Sequence, residues 1–245
     1  MRLHKLVPNI KGIPVLMYHR VVPGKSDRET VDLRSLTSQW EYLRNNNYEC
    51  LSLERFLSIN SGDSVAPERS FLLTFDDGYC ETFANVYPLL EKFNWSATFF
   101  IIGEKLCASR KTKSDEFATT EELLKLNPEV ASLGMHGFNH ENFRKLNVEQ
   151  TAETLDKMIR TFSGSGLKFH KVLAYPYGST PGFYKRLAME KLFKESGIEA
   201  AFRIKNKPQK FPAKNPYRFN RIDVRGSDSL EDFIIKLEKG KLHPF

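Results

Sequence analysis

A parallel, barrel-like α/β fold is predicted for this 245-residue chain, and three observations predict it. Short apolar runs of strand length alternate along the chain with segments whose apolar residues recur at helical spacing. Hydrophobic residues make up 40% and aromatic residues 12%, enough for one sizeable core, and no repeat, low-complexity tract or long linker divides the sequence. Residues 1–245 therefore read as a single domain. Finally, the residues best suited to chemistry each follow a predicted strand, and a barrel gathers strand ends on one face.

The first predicted strand is 13–18 (IPVLMY), followed at once by His19 and Arg20. Val22-Pro23-Gly24-Lys25 reads as a loop. A helix over 36–44 places Leu36, Trp40 and Leu43 on one face. Cys50-Leu51 suggests a short strand, and Ser52 caps a helix carrying Leu53, Phe56 and Leu57. Residues 60–67 read as loop. The strand 70–75 (SFLLTF) runs into Asp76, Asp77 and Gly78. Pro88 is expected at the first position of a helical turn, where its missing N–H costs nothing. Residues 97–102 (ATFFII) form the next buried strand, and 111–116 a charged excursion. Thr119 and Glu122 make a capping box. Residues 130–135 lead into His136. Asn147 caps the clearest helix, with Val148, Ala152, Leu155, Ile159 and Phe162 on one stripe. A strand over 172–175 ends in Pro176-Tyr177-Gly178. A helix over 183–194, stopped by Gly197, precedes strands over 200–204 and 218–224. Asp228 and Glu231 are expected to cap the last helix.

The formal charge is +7, and much of the excess falls late, as in 203–214 (RIKNKPQKFPAK). Such a surface can attract nucleic acid, anionic lipid or an acidic glycan, but no nucleic-acid motif accompanies it, so no nucleic-acid partner is expected. No apolar stretch is long enough for a transmembrane helix. The first residues, MRLHKLVPNIKGIPVLMYHRV, lack the pattern of a signal peptide. Cys50, Cys80 and Cys107 are scattered and odd in number, which argues against a disulfide framework. A cytoplasmic location is the expectation.

The two acids closing this buried strand repel each other, and one usually needs a cation or a proton beside it. An Asp-Asp-Gly turn can also be merely structural. The sequence supplies further ligands in His136-Gly-Phe-Asn-His140, whose imidazoles lie four residues apart. Two histidines and one carboxylate leave open positions for water and substrate, as a catalytic metal site requires.

TFDDGY, HGFNH and AYPYG, in that order, resemble the polysaccharide deacetylase family, also called carbohydrate esterase family four, and the resemblance covers roughly 13–224. It implies a distorted (β/α) barrel that removes acetyl groups from glycans with one divalent metal, commonly zinc, with nickel, cobalt or manganese as alternatives. Asp77, His136 and His140 would be the metal ligands, Asp76 the general base, and the backbone around Tyr177 part of the oxyanion site. An acetylated sugar or glycan would be the substrate. Two departures stand out. Many members carry Arg two residues before the proline of the third motif, where this chain has Ala174; Arg20 and Arg221 are candidates to replace it. The usual late Leu-x-His motif is missing, and Leu242-His243 sits in a tail. Leu16-Met-Tyr-His19, however, is similar to a subgroup in which that motif has moved to the front by circular permutation, so the resemblance gives His19 the role of general acid. A histidine titrates near neutrality and suits that task. Tyr79, Phe138, Tyr175 and Tyr177 are candidates to line a sugar site, with core packing as the alternative for each. Two other functions remain open: hydrolysis of a small cyclic amide or ureide on the same fold, and a non-catalytic glycan- or nucleic-acid-binding module. Sugar, linkage and oligomeric state are not fixed by these motifs.

Overall fold

The apolar run before the two acids forms β5 (Ser70–Phe75), and every residue of it is buried. The computed structural model of the protein describes residues 11–106 and 116–241. Around β5 the chain alternates strand and helix as expected. The elements before it are β1 (Val15–Tyr18), β2 (Arg20–Val22), β3 (Thr30–Asp32), α1 (Leu33–Asn45), β4 (Glu49–Cys50) and α2 (Leu53–Ser61). Those after it are α3 (Cys80–Phe93), β6 (Ala97–Ile101), α4 (Gly103–Leu106), α5 (Thr120–Leu123), β7 (Ala131–Met135), α6 (Val148–Gly164), β8 (Val172–Ala174), α7 (Phe183–Glu195), β9 (Ala200–Ile204), β10 (Phe219–Asp223) and α8 (Leu230–Lys239).

The sheet order is β1-β10-β9-β8-β7-β6-β5, and β1 pairs with β5 to close it, so seven parallel strands make a barrel. Closure has a seam. The start of β5 pairs with β4 (Glu49↔Ser70, Cys50↔Phe71), and the rest of the strand pairs with β1 from Val15↔Leu72 to Tyr18↔Phe75. A single barrel of this kind is the predicted fold class, and the distortion lies in the short β4 sharing an edge with β1.

Period-two alternation along the strands creates two cores. Inward residues such as Val15, Leu72, Phe100, Val172, Ala174, Ala200, Phe202 and Phe219 fill the lumen, where Phe56 of α2 and Phe211 plug the end at which β1 and β10 begin. Outward residues such as Leu16, Leu73, Phe75, Phe99, Leu173 and Ile222 pack beneath the helices. Each fully buried large apolar side chain contributes about 1.5–3 kcal/mol. The caps follow the sequence signals. Ser52 accepts from the Arg55 amide, and both Thr119 with Glu122 and Asn147 with Gln150 form complete capping boxes.

Three local expectations are corrected. Val22, read as loop, ends β2, which pairs in parallel with β3; strands of three residues are too short to show a period. Pro88 lies inside α3 rather than at its start. The carbonyl four residues earlier, at Ala84, loses its partner, but Ala84 and Pro88 are both on the exposed side of the helix, where water can replace the bond. The last helix is capped by Ser229 with Asp232, one residue later than expected, because Asp228 is buried and accepts instead from the Lys236 ammonium at 2.6 Å and the Arg225 amide at 2.8 Å. The Cys50 thiol donates to the Ser96 carbonyl at 3.3 Å; Cys107, His4, Leu242, His243 and nearly all of 111–116 lie outside the described residues. No helix among the described residues is long and apolar enough to cross a membrane.

Candidate active site

The acids take opposite surroundings because the backbone turns sharply between them. Asp76 stays in the ladder, its amide donating to the Tyr18 carbonyl at 2.9 Å. It continues the inward series Leu72, Thr74, so its carboxylate points into the lumen and is 3% exposed. Asp77 then adopts a left-handed backbone at φ 73° and Gly78 one at φ 88°. A Cβ on Gly78 would lie 3.0 Å from Ile101 Cδ1, so the turn needs glycine for both its conformation and its close approach.

Inside the lumen Asp76 meets Arg221 of β10. The guanidinium donates from Nη1 to Oδ1 at 2.6 Å and from Nη2 to Oδ2 at 2.7 Å, a two-pronged pair with both side chains buried. Arg221 also lies over the Phe100 ring, 5.4 Å from its centroid. Residue 174 faces the same lumen from β8 but is only alanine there. Arg221, one of the two candidates, thus fills the role left vacant at Ala174. Arg20, the other, is bound to Glu81 instead, with Nε–Oε2 at 2.8 Å. Burial alone would raise the Asp76 pKa, but the Arg221 and His136 charges prevail and hold it at about 2.

Asp77 has a different neighbourhood. Its Oδ1 lies 3.4 Å from His136 Nε2 and 3.5 Å from His140 Nε2, yet it is buried without a hydrogen-bond partner. His136 ends β7, its amide donating to the Ile101 carbonyl at 2.9 Å, and its Nδ1 donates to the Ala174 carbonyl at 2.9 Å. A carbonyl can only accept, so this contact places a proton on Nδ1 and directs Nε2 toward Asp77. His140 reaches the same point through a turn rather than a helix, with a left-handed backbone at φ 54°. Burial works to lower the His136 pKa, but Asp76 and Asp77 raise it overall; His140 is lowered by burial and by His136. An orphaned buried carboxylate oxygen facing two imidazole nitrogens, all within 4.8 Å of one another, fits a divalent cation.

A cavity of roughly 460 Å³ opens above these groups, and its walls include His19, Tyr79, Tyr177, Asp76, Asp77, His136 and His140. His19, the next inward position after Met17 on β1, is therefore brought to the site. Tyr79 stacks on Phe117 at 5.1 Å beneath the Arg20 guanidinium; burial and Asp77 push its phenol up to about 12. The Tyr177 ring is 64% exposed and lies 4.6 Å from His140, on a left-handed backbone at φ 59°. Tyr175 is a correction. Two residues before Tyr177 it still belongs to the strand alternation, facing outward next to inward Ala174. Its ring is buried against Phe143 and Phe193, and its hydroxyl donates to the Tyr217 carbonyl at 3.0 Å. It supports the site from behind and does not line the cavity. Phe138 likewise packs against Gly103 and the outer core.

Sequence reasoning missed other walls of the cavity. Arg28 and Glu29 come from the connection between β2 and β3, and Asp223 from the end of β10. A signal existed for Asp223, which lies two residues beyond Arg221 and so shares its inward face. None existed for Arg28 and Glu29, because the β2–β3 pairing was not readable.

The comparisons with known proteins agree with this geometry. The sequence model described as polysaccharide deacetylase matches residues 63–201. A Bacillus subtilis protein assigned to the polysaccharide deacetylases, YxkH, is 25% identical over 166 residues, 68% of this chain and 57% of that protein. The poly-β-1,6-N-acetyl-D-glucosamine N-deacetylase of Escherichia coli is 31% identical over 94 residues, 38% of this chain and 14% of that protein. The chain therefore spans little more than half of the first relative and a small part of the second. The structure of the Streptococcus pyogenes deacetylase PplD in complex with acetate superposes with a TM-score of 0.74 over 93% of this chain and 99% of that one, at 19% identity, which establishes the shared fold.

Proposed function

Because this chain belongs to the polysaccharide deacetylase family, we propose that it hydrolyses the acetamido group of an N-acetylated sugar in a glycan, releasing acetate and a free amine. The observation that carries this reading is the unequal treatment of two neighbouring acids: Asp76 clamped by Arg221, and Asp77 left open toward two imidazoles. Pairs of carboxylates pushed into different states are how a site divides roles between them. The name of the Escherichia coli relative supports an N-acetylglucosamine unit as the substrate.

Asp77, His136 and His140 would hold the divalent ion, and their nitrogen and oxygen donors suit zinc, with nickel, cobalt or manganese as alternatives. When bound, such an ion polarises the acetyl carbonyl and lowers the pKa of water to about 7. The remaining work belongs to the protein. Arg221 keeps Asp76 ionised and aims its carboxylate, so Asp76 receives the proton of the attacking water. His19, on the wall of the same cavity, donates a proton to the leaving nitrogen. The main chain at Tyr177 faces the carbonyl oxygen as charge develops there. The Tyr79 and Tyr177 rings flank the space for the sugar, whose apolar faces pack on aromatic rings.

Acetate release from a panel of N-acetylglucosamine oligomers, β-1,6-linked ones included, tests the proposal in the presence of zinc, cobalt, nickel or manganese. Release that disappears with chelator and in Asp76→Asn supports it. No acetate from any acetylated sugar with any of these ions would overturn it.

A further inference from the structure

The basic side chains of the late segment do not line the cavity just described, yet the fold gathers them into one basin. Arg186 of α7, Arg203 of β9, Lys207, Lys210 and Lys214 of the β9–β10 connection, and Arg218 surround a cavity of roughly 920 Å³ on the outer flank of the barrel. One carboxylate, Glu190, shares that wall, and it is already engaged: it accepts from Asn215 Nδ2 at 2.6 Å and lies 3.6 Å from Arg186 Nε. Among the described residues, Arg203, Lys207, Lys210, Lys214 and Arg218 have no ion pair with any carboxylate. Six cations against one acid leave the basin about five charges positive at neutral pH, a field that draws anions strongly.

The strand geometry makes the crowding structural rather than incidental. Arg203 and Asn220 are register partners on β9 and β10, and the Arg203 Nε donates to the Asn220 side chain at 3.1 Å. That bond orients one guanidinium outward, beside Arg218, whose Nε is buried without a partner. Burial and the nearby Arg218 charge both work against the charged form of Arg203. Two half-buried guanidinium forks that repel each other, with a donor left over, are complementary to a tetrahedral oxyanion carrying more than one charge. A monovalent carboxylate would leave most of the field unbalanced. Among the described residues no aromatic side chain lines the basin, so these walls offer no platform on which nucleobases could stack.

We infer that this basin is a binding site for a phosphate or pyrophosphate group, read by Arg203 and Arg218 and held by Lys207, Lys210 and Lys214. The same chemistry is carried by a soluble phosphorylated sugar and by a phospholipid headgroup. The test compares the wild-type protein with Lys207→Gln/Lys210→Gln/Lys214→Gln, whose substitutions lie in a surface connection, and with Arg203→Met/Arg218→Met. Sodium pyrophosphate is titrated by calorimetry at constant ionic strength, with sodium acetate as the control anion. Saturable pyrophosphate binding, weakened at least tenfold in both variants, is expected. Chelation at the Asp77–His136–His140 site cannot mimic this, since neither variant touches it, and acetate release from a soluble substrate should be unchanged in the lysine variant. Co-sedimentation with phosphatidic acid vesicles, against phosphatidylcholine vesicles, identifies the source: pelleting that is lost in the lysine variant assigns a lipid headgroup, whereas pyrophosphate binding without pelleting assigns a soluble ligand. Absence of pyrophosphate binding, equal affinity in all three proteins, or binding of a DNA oligomer in preference to pyrophosphate would overturn the inference.

Discussion

Replacing Arg221 with methionine isolates what the clamp on Asp76 does. Methionine keeps much of the volume in the lumen and the contact with Phe100 but removes both donors. In the wild type the Asp76 pKa lies at about 2, below its ordinary value of 3.8. That displacement corresponds to about 2–3 kcal/mol of stability at neutral pH. The sign follows from its direction: the contribution is complete above the unfolded value and disappears as pH falls toward 2. The variant should lose more than this, because Asp76 remains buried with its strongest compensation gone. Breaking a buried pair from one side costs about 3–5 kcal/mol. Burial then pushes the Asp76 pKa up rather than down, so the carboxyl takes up a proton on mild acidification and the difference between the two proteins narrows. Urea denaturation with chelator present, at pH 7 and again near pH 4, measures both. Expected is a loss of about 3–5 kcal/mol at pH 7 that shrinks clearly at pH 4. Arg221→Lys, which keeps the charge but loses the fork, should fall between. If Arg221→Met unfolds at the same urea concentration as wild type at pH 7, or the gap widens on acidification, the role given to this pair is wrong.

Metal analysis of the purified protein should find about one equivalent of divalent ion in the wild type and in Asp76→Asn, and little in Asp77→Ala or His136→Ala/His140→Ala; full occupancy in the double variant would remove the site. His19→Ala should lower kcat by about 10²–10⁴-fold, the usual range for a positioned proton donor, while metal content stays the same; a variant with full kcat excludes His19 as the acid. Tyr175→Phe should cost about 1 kcal/mol in thermal or urea unfolding, through the lost bond to the Tyr217 carbonyl, and leave KM for an oligosaccharide unchanged. Tyr177→Ala should do the reverse, raising KM with little effect on stability, and the same response in both variants would contradict their placement on opposite faces of the barrel wall.

The strand ends were legible because burial writes itself into the sequence. An apolar run that halts at Asp76-Asp77-Gly78 could by itself be a plain turn, and it was the His136–His140 spacing that supplied partners and pointed to a site. What the linear text withholds is register. Tyr175 and Tyr177 look equivalent when read as a string, yet period two sends one side chain into the outer core, and only the turn at Tyr177 releases the other toward the cavity. Arg20 and Arg221 were equally plausible partners for Asp76. The choice fell to Arg221 because β10 places residue 221 at an inward position, whereas the β1–β2 segment turns Arg20 toward Glu81. The β2–β3 pair, with Arg28 and Glu29 on its connection, left no pattern to read. Pro88 and the Ser229 cap show the ordinary limit of local rules: solvent exposure tolerated the first, and a buried ion pair at Asp228 displaced the second.

The clamp on Asp76 separates ancestry of a motif from delivery of a charge. All seven strands border one shared volume, so a guanidinium needed at one point of it can arrive from any wall whose side chain faces inward. Here the wall is β10, with β8 reduced to Ala174 and Gly134 of β7 letting Phe100, the ring beneath Arg221, pack close. A motif scan that demands arginine two residues ahead of Pro176 would file this chain among degenerate relatives. Sorting such barrels by what occupies the lumen, rather than by the order of letters, would keep it among those in which a guanidinium reaches the buried acid.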